Sequence, residues 1–177
     1  MHRLFVAIRP PEAIRARLIA TMGGVSGARW QSDEQLHLTL RCIGEVDRHL
    51  GRDVHAALGG IHHVPFEIAL NGIHAFDRRG EPVTLWAGVA PHEPLKLLHK
   101  KVDQACLRVG VEPDHRAYLP HITLARLGRG VGRVAGLVEQ SGGLSSDPFL
   151  VDAFSLFESH LTPEGPIYTL VERYPLD

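Results

Sequence analysis

Two short strings, His37-Leu38-Thr39-Leu40 and His121-Ile122-Thr123-Leu124, constrain this chain more than any other feature. Each reads His, apolar, Thr, apolar, and they stand nearly half the chain apart. Side chains alternate between the two faces of a strand, so His37 and Thr39 share one face while Leu38 and Leu40 share the other. The second string divides the same way, His121 and Thr123 against Ile122 and Leu124. Each string can therefore bury an apolar pair in a core and present an imidazole beside a hydroxyl. Two such strands side by side build a cleft with two histidines and two threonines, which is equipment for acid–base chemistry on a phosphate.

The rest of the chain bounds where such a cleft can work. With 177 residues, 44% of them hydrophobic and 22% charged, one domain or two small lobes sharing a core can form without staples. Cys42 and Cys106 are the only cysteines, a usage that fits reduced thiols in a cytosol, and both stand in patterns that expect burial. The N-terminal apolar run, Leu4 to Ile8, is too short for a secretory signal, and no stretch is long enough to span a bilayer, so the expected location is cytoplasmic, with no membrane partner. A formal net charge of −1 excludes the broad basic surface by which proteins grip long nucleic acid. Any RNA partner is then an end, a single nucleotide or a short piece, met by local arginines.

Periodicity gives the element order. Leu4–Ile8 reads as a buried strand, and Pro10-Pro11 opens a helix with Ile14, Leu18 and Met22 on one face, closed by Gly23-Gly24. Leu36–Ile43 carries the first motif. Asp47 caps a helix running to Leu58, and Phe66 to Phe76 and Val83–Val89 pair around an Asp77-Arg78-Arg79-Gly80 turn. Leu95, Leu98, Val102, Cys106 and Val109 mark a third helix, and His121–Leu127 is the second motif strand. A short helix over Val131–Gln140, a Gly/Ser loop over Ser141–Ser146, and strands Phe149–Glu158 and Ile167–Tyr174 complete the order. Strands and helices alternate without a strict parallel crossover pattern, which predicts an α+β fold, antiparallel-rich. Each half sets a His-x-Thr strand among helices and ends in a strand pair, so residues 1–177 read as one domain of two similar lobes, with a pseudo-two-fold axis between the motif strands.

Several stretches carry a family resemblance: Arg3-Leu-Phe-Val-Ala-Ile8, His37-Leu-Thr-Leu-Arg-Cys-Ile-Gly44, Pro120-His-Ile-Thr-Leu-Ala-Arg126, and the Phe157-Glu-Ser-His and Gly165-Pro-Ile-Tyr168 ending. In this order the chain is similar to the 2H phosphoesterases, and within them to the RNA 2′,3′-cyclic phosphodiesterase branch, also called 2′-5′ RNA ligases. Cys42 departs from the aromatic residue more usual there, a change read as core packing. The resemblance implies a bilobal fold, two antiparallel-rich sheets with flanking helices around a central cleft. It implies no metal and no cofactor. It also implies hydrolysis of a 2′,3′-cyclic phosphate on an RNA 3′ end or nucleotide to a 2′-phosphate, with joining of RNA by the reverse reaction in some members. The working unit is expected to be a monomer.

The residue types suit that reaction. Opening a cyclic phosphate needs one group to take a proton from water and another to protonate the departing ribose oxygen, on opposite sides of phosphorus. An imidazole titrates near 6.5, so one can be neutral and one protonated near neutral pH. The residues alone leave acid and base interchangeable; the resemblance makes His37 the proton donor and His121 the acceptor. Thr39 and Thr123 can donate hydroxyl hydrogen bonds to non-bridging oxygens. Arg41 continues the period-two face of His37 and Thr39 and is expected at the phosphate. Arg126 is placed there by resemblance, although strict alternation puts Ala125 on the cleft face, so a bulge or a strand end is needed to swing Arg126 in. Tyr168, Phe5 and Trp30 are candidates to stack on a base. The adjacent His62 and His63 lack ligand spacing, so no metal site is expected. Two other readings stay open: a nucleotide-binding module without turnover, and a phosphodiesterase for 2′,5′-linked or other cyclic phosphates.

Overall fold

The computed structural model describes residues 1–128 and 143–177. The expected helix over 131–140 and the start of the loop expected from 141 lie outside the described residues. Among those described, the elements are β1 (His2–Ile8), α1 (Glu12–Ile19), β2 (Ala28–Trp30), a single 3₁₀ turn (Asp33–Gln35), β3 (Leu38–Val46) and α2 (Arg48–Leu58). Then follow β4 (Phe66–Arg78), β5 (Glu81–Ala90), α3 (Glu93–Arg108), β6 (Ile122–Leu127), β7 (Phe149–Val151), β8 (Ala153–Thr162) and β9 (Gly165–Pro175).

Local chemistry sets most boundaries. Asp47 caps α2 by accepting from the Leu50 N–H at 2.8 Å, as its position before the helix predicts. The β4–β5 turn places Arg79 and Gly80 both at positive φ, 54° and 80°, the twist that joins two antiparallel strands tightly. α3 buries Leu95, Leu98, Val102 and Cys106, the stripe read from the sequence. Two features went unseen. β2 is only three residues long, too short for a periodicity. The single strand expected over Phe149–Glu158 is two strands broken at Asp152, because the chain there leaves β4 and crosses to β1.

All the strand pairings are antiparallel, and the strands form an order β7-β4-β5-β6-β3-β1-β8-β9, with β2 beside β6, curled into a half-barrel. The two motif strands are neighbours at its centre. They meet antiparallel through one register pair, Leu38 with Ile122. Four strands extend from each side: β3, β1, β8 and β9 on one, β6, β5, β4 and β7 on the other. The similarity expected between consecutive halves is therefore laid out differently. The C-terminal hairpin β8–β9 joins the N-terminal strands, while β4–β5 serves the second motif. α2 and α3 pack behind this sheet, and one apolar core, including Leu38, Leu40, Ile122 and Leu124, fills the space between. Among the described residues, no helix is long and apolar enough to cross a membrane.

Candidate active site

His37 and His121 stand one residue before Leu38 and Ile122, the pair that joins the motif strands. Continuing that antiparallel register by one residue in each direction sets His37 opposite Thr123 and His121 opposite Thr39. All four are half-buried, while Leu38, Leu40, Ile122 and Leu124 are buried on the other side. The alternation read from the two strings thus places both imidazoles and both hydroxyl-bearing residues on one face.

The two histidines are held alike. His37 Nδ1 lies 2.7 Å from Gln35 O, and His121 Nδ1 lies 2.7 Å from Leu119 O. A carbonyl oxygen only accepts, so each Nδ1 carries its hydrogen and donates. In each ring Nε2 is then the nitrogen free to give or take a proton. The first carbonyl is the more firmly fixed. The Ser32 N–H donates to Gln35 Oε1, Gln35 donates its side-chain amide to Pro166 O, and Arg9 donates to Asp33 O and Leu36 O at 2.6 Å each.

Each ring also has aromatic neighbours. Phe5 and Tyr168 lie 4.9 and 5.2 Å from His37, and Phe76 and Trp86 lie 5.1 and 5.7 Å from His121. Burial, first, and then the positive fields of Arg9, His121 and Arg126, push His37 down to about 4, against an opposing effect of its bond to Gln35.

After each threonine the strand carries a bulge, and the bulges decide which basic residue reaches the cleft. In β3, Val6 pairs with Arg41 and Ala7 with Thr39, so Leu40 is the extra residue. In β6, Leu85 pairs with Ala125 and Trp86 with Thr123, so Leu124 is the extra residue. The bulge reverses the alternation beyond it. Leu40 and Arg41 are consequently both buried, as are Leu124 and Ala125, while Cys42 and Arg126 are exposed. The carbonyl of each bulge leucine has its own donor, His99 Nδ1 for Leu40 and the Gln31 N–H for Leu124.

Two expectations fall with the first bulge. Arg41 does not face the cleft: at 4% exposure it turns inward, donating to Asp103 Oδ1 and Glu112 O at 2.7 Å each and to Cys42 O. Cys42 is not a core residue but the cleft-side counterpart of Arg126. The second bulge supplies the swing that Arg126 needs. Its charge acts on His37 and on the Tyr168 hydroxyl, which burial raises and Arg126 lowers.

The aromatic candidates separate as well. Phe5 is 8% exposed, with His37 at 4.9 Å, Phe157 stacked at 5.3 Å and the Tyr168 edge at 4.9 Å, so it supports His37 and offers no free face to a base. Trp30 pairs with Ala125, on the side away from Arg126, and packs against the core. Tyr168 remains at the cleft. Arg9, Gln35, Phe76 and Trp86 complete the site unforeseen. Only the Trp86–Thr123 pairing of neighbouring strands points to the last two, and pairing is invisible in a single sequence.

Known proteins resemble this chain over nearly its whole length. The model of the 2′-5′ RNA ligase superfamily matches residues 10–162. An RNA 2′,3′-cyclic phosphodiesterase of Archaeoglobus fulgidus is 32% identical over 169 residues, covering 94% of this chain and 96% of that protein. One of Thermus thermophilus is 34% identical, covering 98% and 90%. A crystal structure of E. coli LigT complexed with 3′-AMP superposes with a TM-score of 0.81 at 25% identity, over 99% of this chain and 98% of that one. A crystal structure of a Thermus thermophilus protein gives 0.80 at 28%, over 98% and 97%. The fold and the paired His-x-Thr strands define a two-histidine phosphoesterase. The chain belongs to the 2′-5′ RNA ligase superfamily.

Proposed function

We propose that this chain is a hydrolase that opens the 2′,3′-cyclic phosphate of an RNA end or nucleotide, leaving a 2′-phosphomonoester, without a metal. The observation that carries the reading is the pair of imidazoles flanking the register pair that joins the motif strands, each with Nδ1 committed to a carbonyl and Nε2 without a hydrogen-bond partner among the described residues. The relatives named RNA 2′,3′-cyclic phosphodiesterase support the substrate.

In the reaction, His121 Nε2 takes a proton as the water oxygen bonds to phosphorus. The bond from phosphorus to the ribose 3′ oxygen breaks on the opposite side, and His37 Nε2 gives that oxygen its proton. Thr39, Thr123 and Arg126 meet the non-bridging oxygens, where negative charge is densest. Free thiols at Cys42 and Cys106 suit a reducing compartment, in keeping with a cytoplasmic enzyme.

His37 must hold a proton to act as the donor, yet its surroundings lower its affinity for one. A phosphate anion in the cleft adds the opposite charge and offsets the fields of Arg9 and Arg126. Its binding is therefore expected to raise the His37 titration by about 1–3 units. NMR titration of the imidazole resonances with and without inorganic phosphate reads this directly. A value that stays put or falls removes His37 from the donor role.

The test of the function is product identity. Phosphorus NMR of a 2′,3′-cyclic nucleotide incubated with the chain in excess EDTA should show the 2′-monoester accumulating. A 3′-monoester, or arrest by EDTA, would refute the reading.

A further inference from the structure

A cavity of about 480 Å³ lies on the sheet face that carries Thr39, two strands out from β3. The registers place it. Thr39, Ala7, Ser155 and Arg173 pair in turn across β3, β1, β8 and β9, so they form one row on the cleft face. Phe5, Phe157 and Leu170 form the next row, and Arg9 lies two residues beyond Ala7. The cavity rests on Ser155 and Phe157 and is bounded by Arg9, Leu150, Leu170 and Arg173. With strands about 4.8 Å apart, its centre lies roughly 10 Å from Thr39, a distance one nucleoside bridges.

The lining is of two kinds. Phe157 is half-buried and Leu170 is 54% exposed, an apolar wall that suits the face of a base. Arg173 is exposed and its carboxylate partner, Asp152 at 3.3 Å, is exposed too, so an incoming phosphate can displace that weak pair. None of His37, His121, Thr39, Thr123 and Arg126 lines this space, so the reaction at phosphorus does not need it. An RNA strand ending in a cyclic phosphate can use it, because its chain must leave the reactive nucleotide through the 5′ side.

We propose that this cavity takes the nucleotide immediately upstream of the reactive end, its base against Phe157 and Leu170 and the phosphate that links it to the terminal nucleotide at Arg173, which makes an RNA strand the preferred substrate over a mononucleotide. This rests on the reading of the site as a cyclic phosphodiesterase.

The test compares kcat/KM for a 2′,3′-cyclic mononucleotide with that for a dinucleotide bearing the same cyclic end, in the full chain and in its Arg173→Ala and Leu170→Glu variants. Both substituted residues are exposed, and neither takes part in the hydrogen bonds that hold His37 and His121. The dinucleotide should be favoured by about 10–100-fold in the unaltered chain, the worth of one stacked base. Both variants should keep mononucleotide turnover and lose most of that preference, and added salt should shrink it. Equal kcat/KM for the two substrates in the unaltered chain would overturn the proposal and leave the phosphodiesterase reading standing. A matching loss on both substrates in the variants would overturn it too, since the cavity would then belong to the terminal nucleoside. No turnover of either substrate would bring down the reading and the proposal with it.

Discussion

Replacing His37 or His121 by alanine is expected to lower kcat on a 2′,3′-cyclic nucleotide by about 10²–10⁴ in each case, the worth of one positioned proton transfer. KM should change far less, because in the proposed reaction the phosphate keeps Thr39, Thr123 and Arg126 as its partners. The fold should survive both changes. Each ring is half-buried and its hydrogen bond among the described residues, to Gln35 O or Leu119 O, is local. Circular dichroism and thermal unfolding separate this outcome from misfolding. The variants should also differ in pH dependence. Losing the acceptor His121 should remove the acid limb of the kcat profile, and losing the donor His37 should remove the alkaline limb. Two variants that both retain full turnover would show that neither ring moves a proton.

Arg41 and Arg126 should give opposite phenotypes although both follow a His-x-Thr pair. Arg41→Ala removes the partner of Asp103 and two carbonyl contacts from a buried position. Breaking a buried pair on one side costs about 3–5 kcal/mol, and the low end applies here because the Asp103 side chain is 28% exposed and can take up water. At about 2–4 °C per kcal/mol for a chain of this size, Tm should drop by roughly 6–12 °C. The molecules that stay folded should turn over substrate almost normally. Arg126→Ala should leave Tm nearly unchanged, since the residue is exposed, and should lower kcat/KM by about 10²-fold, the scale of losing one donor to a developing anion. Thermal melts and steady-state kinetics on the two variants decide the matter. The reverse pattern would mean that the bulge at Leu40 does not set which residue faces the cleft.

That bulge also marks where the sequence stops being readable. Period-two alternation places His37, Thr39, His121 and Thr123 correctly, because it holds wherever a strand is regular. It fails one residue past each threonine, where Leu40 and Leu124 have no partner across the ladder. Nothing in Leu-Arg-Cys or Leu-Ala-Arg announces an extra residue. Each bulge is stabilised from elsewhere in the chain, that at Leu40 by His99 on α3 and that at Leu124 by the backbone of Gln31. The same holds for Phe5 and Trp30, whose aromatic character is visible but whose faces are claimed by Phe157 and by the core. The three described α-helices are legible because their buried stripes and the Asp47 cap are local. The swap of β8–β9 into the N-terminal half is not, since strand order depends on contacts far apart in sequence.

In the proposed reaction both Nε2 atoms address one phosphorus from opposite sides. A crystal structure with a nucleoside and vanadate, which adopts the five-coordinate geometry of the transferring phosphorus, measures this outright. His37 Nε2 and His121 Nε2 should each lie within about 3 Å of an apical vanadate oxygen, with Thr39 and Thr123 on the equatorial ones. A vanadate bound with either imidazole turned away, or with both on the same side, would contradict it.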